Sequence, residues 1–201
     1  MKRLILAFTL LLLMPAAYAA LIDDVKTRVT LQNSQRGEFR QEKRIASLSK
    51  PLISSGTFVY QKERGLLWRI AKPYESDATI TGTQLIQRVK GKTIVKVDAA
   101  TQPAYSAVSR IFMALVGSDW HALEQDFSIS GRVDGKSWQL DLIPKGGLFA
   151  SFAKQLTLTG NSHLQKLEIF EKNGDATIYE FKNVVAAGEL TADEEARFAL
   201  R

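Results

Sequence analysis

Short runs of strand-forming residues alternate with turn signals about every eight to ten residues through most of this chain. Asn173-Gly174 and Asp134-Gly135 are turn pairs that suit tight links between antiparallel neighbours. The runs lie at residues 38–45, 54–61, 66–70, 77–81, 84–89 and 93–97, and again at 127–130, 137–143, 154–159, 164–171 and 177–184. This spacing predicts an antiparallel sheet, open or closed.

Four other segments have a helical period. Residues 21–32 place apolar side chains near one face, with Asp23 and Asp24 in the predicted first turn, where the helix dipole favours acids. Residues 104–116 repeat apolar positions at helical spacing and stop at Gly117, and residues 120–125 can add a short helix. Thr191 followed by acids predicts the start of a helix over 191–200.

The N-terminus carries the three parts of a secretory signal. Lys2 and Arg3 form a positive segment, residues 4–14 are apolar, and Ala17-Tyr18-Ala19 supplies small residues for cleavage before Ala20. The alternative is a membrane anchor, but eleven apolar residues span only about 16 Å as a helix, roughly half a bilayer core. We therefore expect residues 1–19 to be removed and the protein to work in the periplasm.

Composition limits what the mature chain can be. Residues 20–201 suit one domain with a sizeable core. The chain has no cysteine, so neither disulfides nor a lipid-modified cysteine are available. The net charge of +6 falls to +4 without Lys2 and Arg3, which is too little to indicate nucleic-acid binding.

Catalytic chemistry has little support in the sequence. His121 and His163 lack a second ligand at metal spacing, and no nucleophile elbow or glycine-rich phosphate loop occurs. Acids such as Asp193 and Glu194 are explained as first-turn charges of a helix. We expect a protein that is not an enzyme and that needs no cofactor or metal.

One stretch is more specific. Gly56-Thr57-Phe58-Val59-Tyr60, Glu63-Arg64-Gly65-Leu66-Leu67-Trp68 and Lys72-Pro73-Tyr74-Glu75-Ser76 follow Gly37-Glu38-Phe39-Arg40-Gln41-Glu42-Lys43. This order resembles the periplasmic outer-membrane lipoprotein carrier family, LolA. Gly65 stands where that family usually has proline, Leu85-Ile86-Gln87 replaces its usual Trp-x-Tyr, and its proline-containing tail and final strand are missing. The chain therefore resembles a divergent branch.

The resemblance implies an α+β fold, an incomplete antiparallel β-barrel (half-barrel) with a helical lid over an apolar concave face. It implies a carrier or chaperone that shields the acyl or apolar part of a lipoprotein or glycolipid-type amphiphile between the inner and outer membranes. Its partners would be that cargo, an inner-membrane donor complex and an outer-membrane acceptor, with the carrier itself a monomer. The resemblance leaves the class of cargo open: it could be a lipoprotein, a glycolipid or a polyene lipid.

The resemblance also implies site residues. Arg64 occupies the position of an arginine that latches the lid by bonding to the lid backbone. The alternative is an arginine exposed in a turn. Gly65, which replaces the usual proline, affects the geometry that a latch would need. The concave face and the underside of the lid would supply an apolar ligand pocket, for which the alternative is an ordinary core: Phe58, Tyr60, Leu66, Trp68, Ile70, Leu85, Ile111, Phe112 and Leu115.

Two rival functions use the same fold. The first is a sensor that detects mislocalised lipid or lipoprotein and signals through a partner. The second is an enzyme that uses the half-barrel as a reaction chamber for an apolar substrate. The absence of a catalytic constellation counts against the second.

Overall fold

The computed structural model describes residues 14–30, 32–98 and 100–199. The strands are β1 Ser34–Arg44, β2 Leu52–Gln61, β3 Gly65–Lys72, β4 Ser76–Ile80, β5 Gln84–Val89, β6 Lys92–Asp98, β7 Phe127–Asp134, β8 Ser137–Pro144, β9 Ala153–Gly160, β10 Leu164–Glu171 and β11 Ala176–Ala186. The helices are α1 Met14–Arg28, α2 Pro103–Gly117, α3 Trp120–Glu124, α4 Gly147–Phe152 and α5 Ala192–Phe198.

All strands belong to one antiparallel sheet in the order β6-β5-β4-β3-β2-β1-β11-β10-β9-β8-β7. Each half of the sheet is a meander of hairpins, and the long-range pairing of β1 with β11 joins the halves. Among the described residues, the edge strands β6 and β7 do not pair with each other, so the sheet is not closed. The predicted incomplete antiparallel barrel is confirmed.

The sequence prediction located every strand to within a few residues. The predicted helix start at Thr191 is also confirmed, because its hydroxyl accepts a hydrogen bond from the Glu194 amide at 3.2 Å. In return the Glu194 carboxylate accepts one from the Thr191 amide at 2.8 Å, which completes a capping box.

One prediction about helices was wrong, and one helix was missed. Helix α1 begins at Met14 and ends at Arg28, so Asp23 and Asp24 lie well inside it and not in its first turn. Helix α4 was not predicted, because six residues are too few to show a helical period. Residues 1–13 of the predicted signal peptide, and the predicted helix end at 200, lie outside the described residues.

The two faces of the sheet carry separate apolar clusters. Along β3, Leu66 and Trp68 point into the large core on the concave face, whereas Leu67 points to the opposite face. There Leu67 packs with Val59 and with Phe198 of α5. Strand alternation therefore divides the molecule into a concave side that holds most of the core and a convex side covered in part by α5.

The turn before β3 depends on Gly65. Its φ is +129°, and a Cβ at this position would lie 2.1 Å from the carbonyl oxygen of Ile80 on β4. Proline, whose φ is held near −65°, cannot adopt this conformation. The backbone of this turn is therefore one that proline at position 65 could not adopt.

Gly65→Ala is expected to lower the free energy of unfolding by about 2–4 kcal/mol, because it adds a backbone clash to an unfavourable φ. Gly91→Ala is the matched control, since Gly91 also has a positive φ of +75° but open space around the added Cβ. It should cost about 1 kcal/mol. Urea unfolding of both variants measures the difference, and equal costs would show that the contact with Ile80 adds nothing.

Candidate functional site

Helix α2 lies over the concave face of the sheet. Ile111 and Leu115 are buried in the same cluster as Leu66, and the Ser109 hydroxyl donates a hydrogen bond to the carbonyl oxygen of Thr81 at 3.0 Å. Pro103 suits the first turn of the helix, where no amide hydrogen is needed. At the other end, Ser118 adopts a left-handed conformation and its amide caps the last carbonyls.

An apolar cavity of about 160 Å³ lies between α2 and the concave face. We call it the apolar cavity; its walls come from β3, β4, β5, α2 and β11. It is lined by Trp68, Ala78, Ile80, Leu85, Ser109, Phe112 and Tyr179. The Ser109 hydroxyl is already bonded to backbone, so the surface offered to a ligand is almost entirely hydrocarbon and aromatic ring. Such a surface binds by shape and burial and not by matched hydrogen bonds.

Trp68 is the centre of an aromatic cluster beneath this cavity. Its indole stacks on Phe39 with ring centroids 3.7 Å apart, and Phe112 of α2 meets it edge-on at 5.5 Å. Tyr179 meets it edge-on at 5.8 Å, and Phe58 and Phe181 complete the cluster. These rings come from four strands and one helix, so the cluster joins α2 to both halves of the sheet.

The structure divides the predicted pocket residues into two groups. Trp68, Leu85 and Phe112 line the apolar cavity. The remaining six lie in the core or pack against it and do not line this cavity: Phe58, Tyr60, Leu66, Ile70, Ile111 and Leu115. Five of the six are buried in the core cluster, where other apolar side chains surround them, and the half-buried Ile70 packs against that cluster near the end of β3.

Four residues of the cavity were not predicted. Ala78 and Ile80 pair directly with Trp68 and Leu66 across β3 and β4, so strand register was a signal that could have found them. Ser109 lies one helical turn before Phe112, at a spacing that places both on one face. Tyr179 had no local signal, because only the long-range pairing of β1 with β11 brings it to the cavity.

The hydroxyl of Tyr179 has a raised pKa. Burial raises the pKa of Tyr179 to about 12, and the negative charge of Glu171 acts in the same direction. The folded state therefore holds this proton more tightly than the unfolded chain does. The stability that it contributes is fully present below about pH 10 and is lost as the pH rises from 10 to 12.

We expect the Tyr179 contribution to the free energy of unfolding to fall by up to about 3 kcal/mol across that window. Denaturation at a series of alkaline pH values should show a steeper loss of stability for wild type than for Tyr179→Phe. Tyr74→Phe is the control, because Tyr74 is 83% exposed. Parallel curves for wild type and Tyr179→Phe would contradict the assignment.

Arg64 contacts α5. Its guanidinium pairs with the Glu195 carboxylate at 2.7 Å and lies 5.2 Å from the ring centroid of Phe198. Among the described residues, the structure gives it no hydrogen bond to the backbone of α2, which is the contact that the latch prediction required. The reason is the position of α5, which brings an acid and an aromatic ring next to the turn before β3. The latch itself stays a prediction.

Other ion pairs hold α5 on the convex side. Arg69 pairs with Asp193, Arg36 lies 3.4 Å from Glu194, and Arg197 lies 2.6 Å from Asp77 of β4. Burial opposes the ionisation of Asp193, but the hydrogen bond from Arg197 and the charge of Arg69 hold its pKa below its usual value. Helix α5 is therefore attached by charge as well as by the apolar contact of Phe198.

No metal centre or membrane span is found in the described part of the chain. Within residues 14–30, 32–98 and 100–199, no three acidic or histidine side chains are grouped so that they could hold a metal ion. Over the same residues, no helix combines the length and the apolar character needed to cross a membrane. His121 is engaged with Lys26 and Glu124, and His163 with Ser162.

Comparison with known proteins identifies a family whose members resemble this chain over most of its length. The sequence profile of a family described as outer membrane lipoprotein carrier protein LolA-like matches residues 15–197. An outer-membrane lipoprotein carrier protein from Cupriavidus pinatubonensis is 30% identical over 192 residues, which are 90% of this chain and 84% of that protein. A protein of the same description from Cupriavidus taiwanensis is 29% identical over 185 residues, 88% of this chain and 83% of its own length.

The solved structures that match are more distant in sequence. The crystal structure of a LolA superfamily protein from Nitrosomonas europaea aligns with a TM-score of 0.46 and 8% sequence identity. The alignment covers 88% of this chain and 96% of that one.

Proposed function

The chain belongs to the LolA-like family of outer membrane lipoprotein carrier proteins, and from this we propose that it is a periplasmic carrier for an acylated amphiphile. Its role is to shield the acyl or apolar part of a lipoprotein or glycolipid-type molecule during transfer from the inner to the outer membrane. The observation that carries the proposal is the apolar cavity between α2 and the concave face. This role needs no catalytic group and no cofactor.

The physical need for such a carrier is large. Each methylene group buried away from water contributes about 0.8 kcal/mol, so a long acyl chain does not leave a membrane on a useful timescale without a protein surface to receive it. The aromatic rings of Trp68, Phe112 and Tyr179 provide that surface. A cavity without matched hydrogen bonds accepts chains of different lengths, as a carrier of several cargoes requires.

The size of the apolar cavity implies that α2 moves. At about 160 Å³ it is comparable to an engineered cavity of ~150 Å³ that holds a single benzene, which is far smaller than a long acyl chain. In our proposal the structure represents a closed state, and loading separates α2 from β3 and β4. Phe112 and its edge-on contact with Trp68 are then the first apolar contacts to be exchanged for cargo.

Export is part of the proposal. We infer that residues 1–19 direct the chain across the inner membrane and that cleavage occurs before Ala20. Cleavage there would shorten α1 at its beginning and keep Ile22 and Val25, which are both buried in the core. The partners would be an inner-membrane donor complex and an outer-membrane acceptor, with the carrier acting as a monomer.

The direct test is native mass spectrometry with lipid extraction on protein purified from periplasm without detergent. A bound acylated species supports the carrier role and identifies the class of cargo. A clean apo mass, with no uptake of added lipopeptide or glycolipid, would contradict it. That result would favour the sensor or the enzyme that uses the same fold.

Arg64 gives a test of the latch. We expect Arg64→Leu to change the rate of cargo release while lowering the free energy of unfolding by no more than about 1 kcal/mol, since the pair with Glu195 is partly exposed. Glu195→Gln removes the same ion pair and keeps the arginine. Release altered only in Arg64→Leu supports a latch, and equal changes in both variants locate the effect in α5. Unchanged release in Arg64→Leu removes the latch.

A further inference from the structure

A second and larger cavity, of about 750 Å³, lies beside the apolar cavity. We call it the polar cavity; it is bounded by the end of α1, the turn between β2 and β3, and the region where α2 meets α3. Its volume lies in the range of ordinary small-molecule sites, which runs from about 300 to 1,000 Å³. Ser109 lines both cavities, so the two adjoin at one residue of α2.

Cations outnumber carboxylates among the side chains that line the polar cavity, and three of the four cations are ion-paired. Four cations line it, against the carboxylates of Glu63 and Asp119: Lys26, Lys62, Arg64 and Arg110. Carboxylates outside the lining pair with three of these cations: Lys26 with Asp23 at 3.5 Å, Arg64 with Glu195 at 2.7 Å and Arg110 with Asp126 at 2.9 Å. A negative group in the cavity would therefore be attracted chiefly by Lys62, for which the described residues show no ion pair. Lys62 is exposed at the cavity, and the ε-ammonium of Lys26 touches the imidazole of His121 in its wall.

Two buried polar atoms in this wall lack hydrogen-bond partners in the described part of the chain. They are the indole Nε1 of Trp120 and the side-chain Oε1 of Gln32. Trp120 is only 1% exposed, and an N–H left unpaired in such a position costs free energy. An oxygen atom of a bound anion is a natural acceptor for the indole N–H, and a hydroxyl on the same group could donate to Gln32.

We propose that the polar cavity binds the anionic headgroup of the same amphiphile whose acyl chain enters the apolar cavity. This inference rests on the proposed carrier function and adds a requirement on the cargo, namely a negative group next to the chain. Helix α2 separates the two compartments: Phe112 faces the chain, Arg110 and Met113 face the headgroup, and Ser109 lines both. Movement of α2 would then open both compartments together.

The test compares ligands that share one chain. Decyl phosphate and decyl maltoside are titrated below their micelle concentrations at low salt, with intrinsic tryptophan fluorescence as the readout and inorganic phosphate as a third ligand. Decyl phosphate is expected to bind at least about tenfold more tightly than decyl maltoside, and the preference should shrink with added salt. Inorganic phosphate alone should bind far more weakly than decyl phosphate.

Charge variants test the location of the headgroup. In the double variant Lys26→Gln with Lys62→Gln, the preference for decyl phosphate should fall below about threefold. The double variant Lys92→Gln with Lys182→Gln removes the same net charge from exposed positions that do not line the cavity, and it should keep the preference. An equal fall in both double variants would overturn the inference.

The outcomes separate this inference from the carrier role. Equal affinity for both decyl ligands would overturn the headgroup site and leave the carrier role intact. Binding of inorganic phosphate as tight as that of decyl phosphate would show an anion site independent of the chain, which also overturns it. Failure of both decyl ligands to bind would overturn the carrier role together with the inference.

Discussion

Phe112→Asp is expected to weaken the binding of an acylated ligand by at least about 100-fold, with the fold kept. The ring of Phe112 is half-buried, lines the apolar cavity and meets Trp68 edge-on, so it belongs to the surface offered to cargo. An aspartate there removes apolar contact and puts a carboxylate where a chain must bind, at a cost of several kcal/mol. Titration with a fluorescent fatty acid measures the loss.

Matched variants decide how to interpret that result. Phe170→Asp places the same charge at a phenylalanine that is 39% exposed and lies outside the cavity, so it should leave binding unchanged. Phe112→Leu keeps an apolar side chain and should bind within about tenfold of wild type. If Phe112→Asp loses its fold in proportion to its binding, Phe112 is a core residue and not a ligand contact.

Trp68→Ala is expected to lower the free energy of unfolding by about 3–5 kcal/mol, the largest effect on stability predicted for this protein. Trp68 is 8% exposed and contacts five other aromatic rings, so its removal leaves a hole where α2 meets both halves of the sheet. Urea unfolding followed by circular dichroism measures the change, since removing one of the three tryptophans alters the fluorescence signal itself.

Two controls accompany this variant. Trp68→Phe keeps a ring in the cluster and should lose clearly less stability than alanine does. Tyr74→Ala removes an aromatic side chain that is 83% exposed and should stay within about 0.5 kcal/mol of wild type. A loss below about 1 kcal/mol for Trp68→Ala would mean that neighbouring rings close the hole and that the cluster is not a fixed unit.

How far the sequence predicts the site depends on whether the contact is local. The family resemblance implied that Trp68 and Phe112 belong to the pocket, and the alternation of β3 and the helical spacing of α2 gave the faces they share; both line the apolar cavity. Alternation reports only which face a side chain shares, so it could not separate Trp68 from Leu66, which is fully enclosed under α2. That separation depends on where the helix crosses the sheet.

The position of α5 is a similar case. Thr191 caps the helix as the sequence predicts, and the structure adds the reciprocal bond from Glu194 that completes a capping box. The sequence does not say which face of the sheet the helix covers. Its contact with Leu67 on the convex side is what gives Arg64 a partner in Glu195.

By itself the sequence determined the strands, the principal helices and the family, because side-chain periodicity, turn residues and caps act over a few neighbouring positions. The tertiary structure alone decided that β1 pairs with β11, that Tyr179 joins Trp68 at the apolar cavity, and that Ser109 stands between two cavities. Those contacts join residues far apart in the chain, and their free energy comes from packing that exists only when the whole sheet has formed.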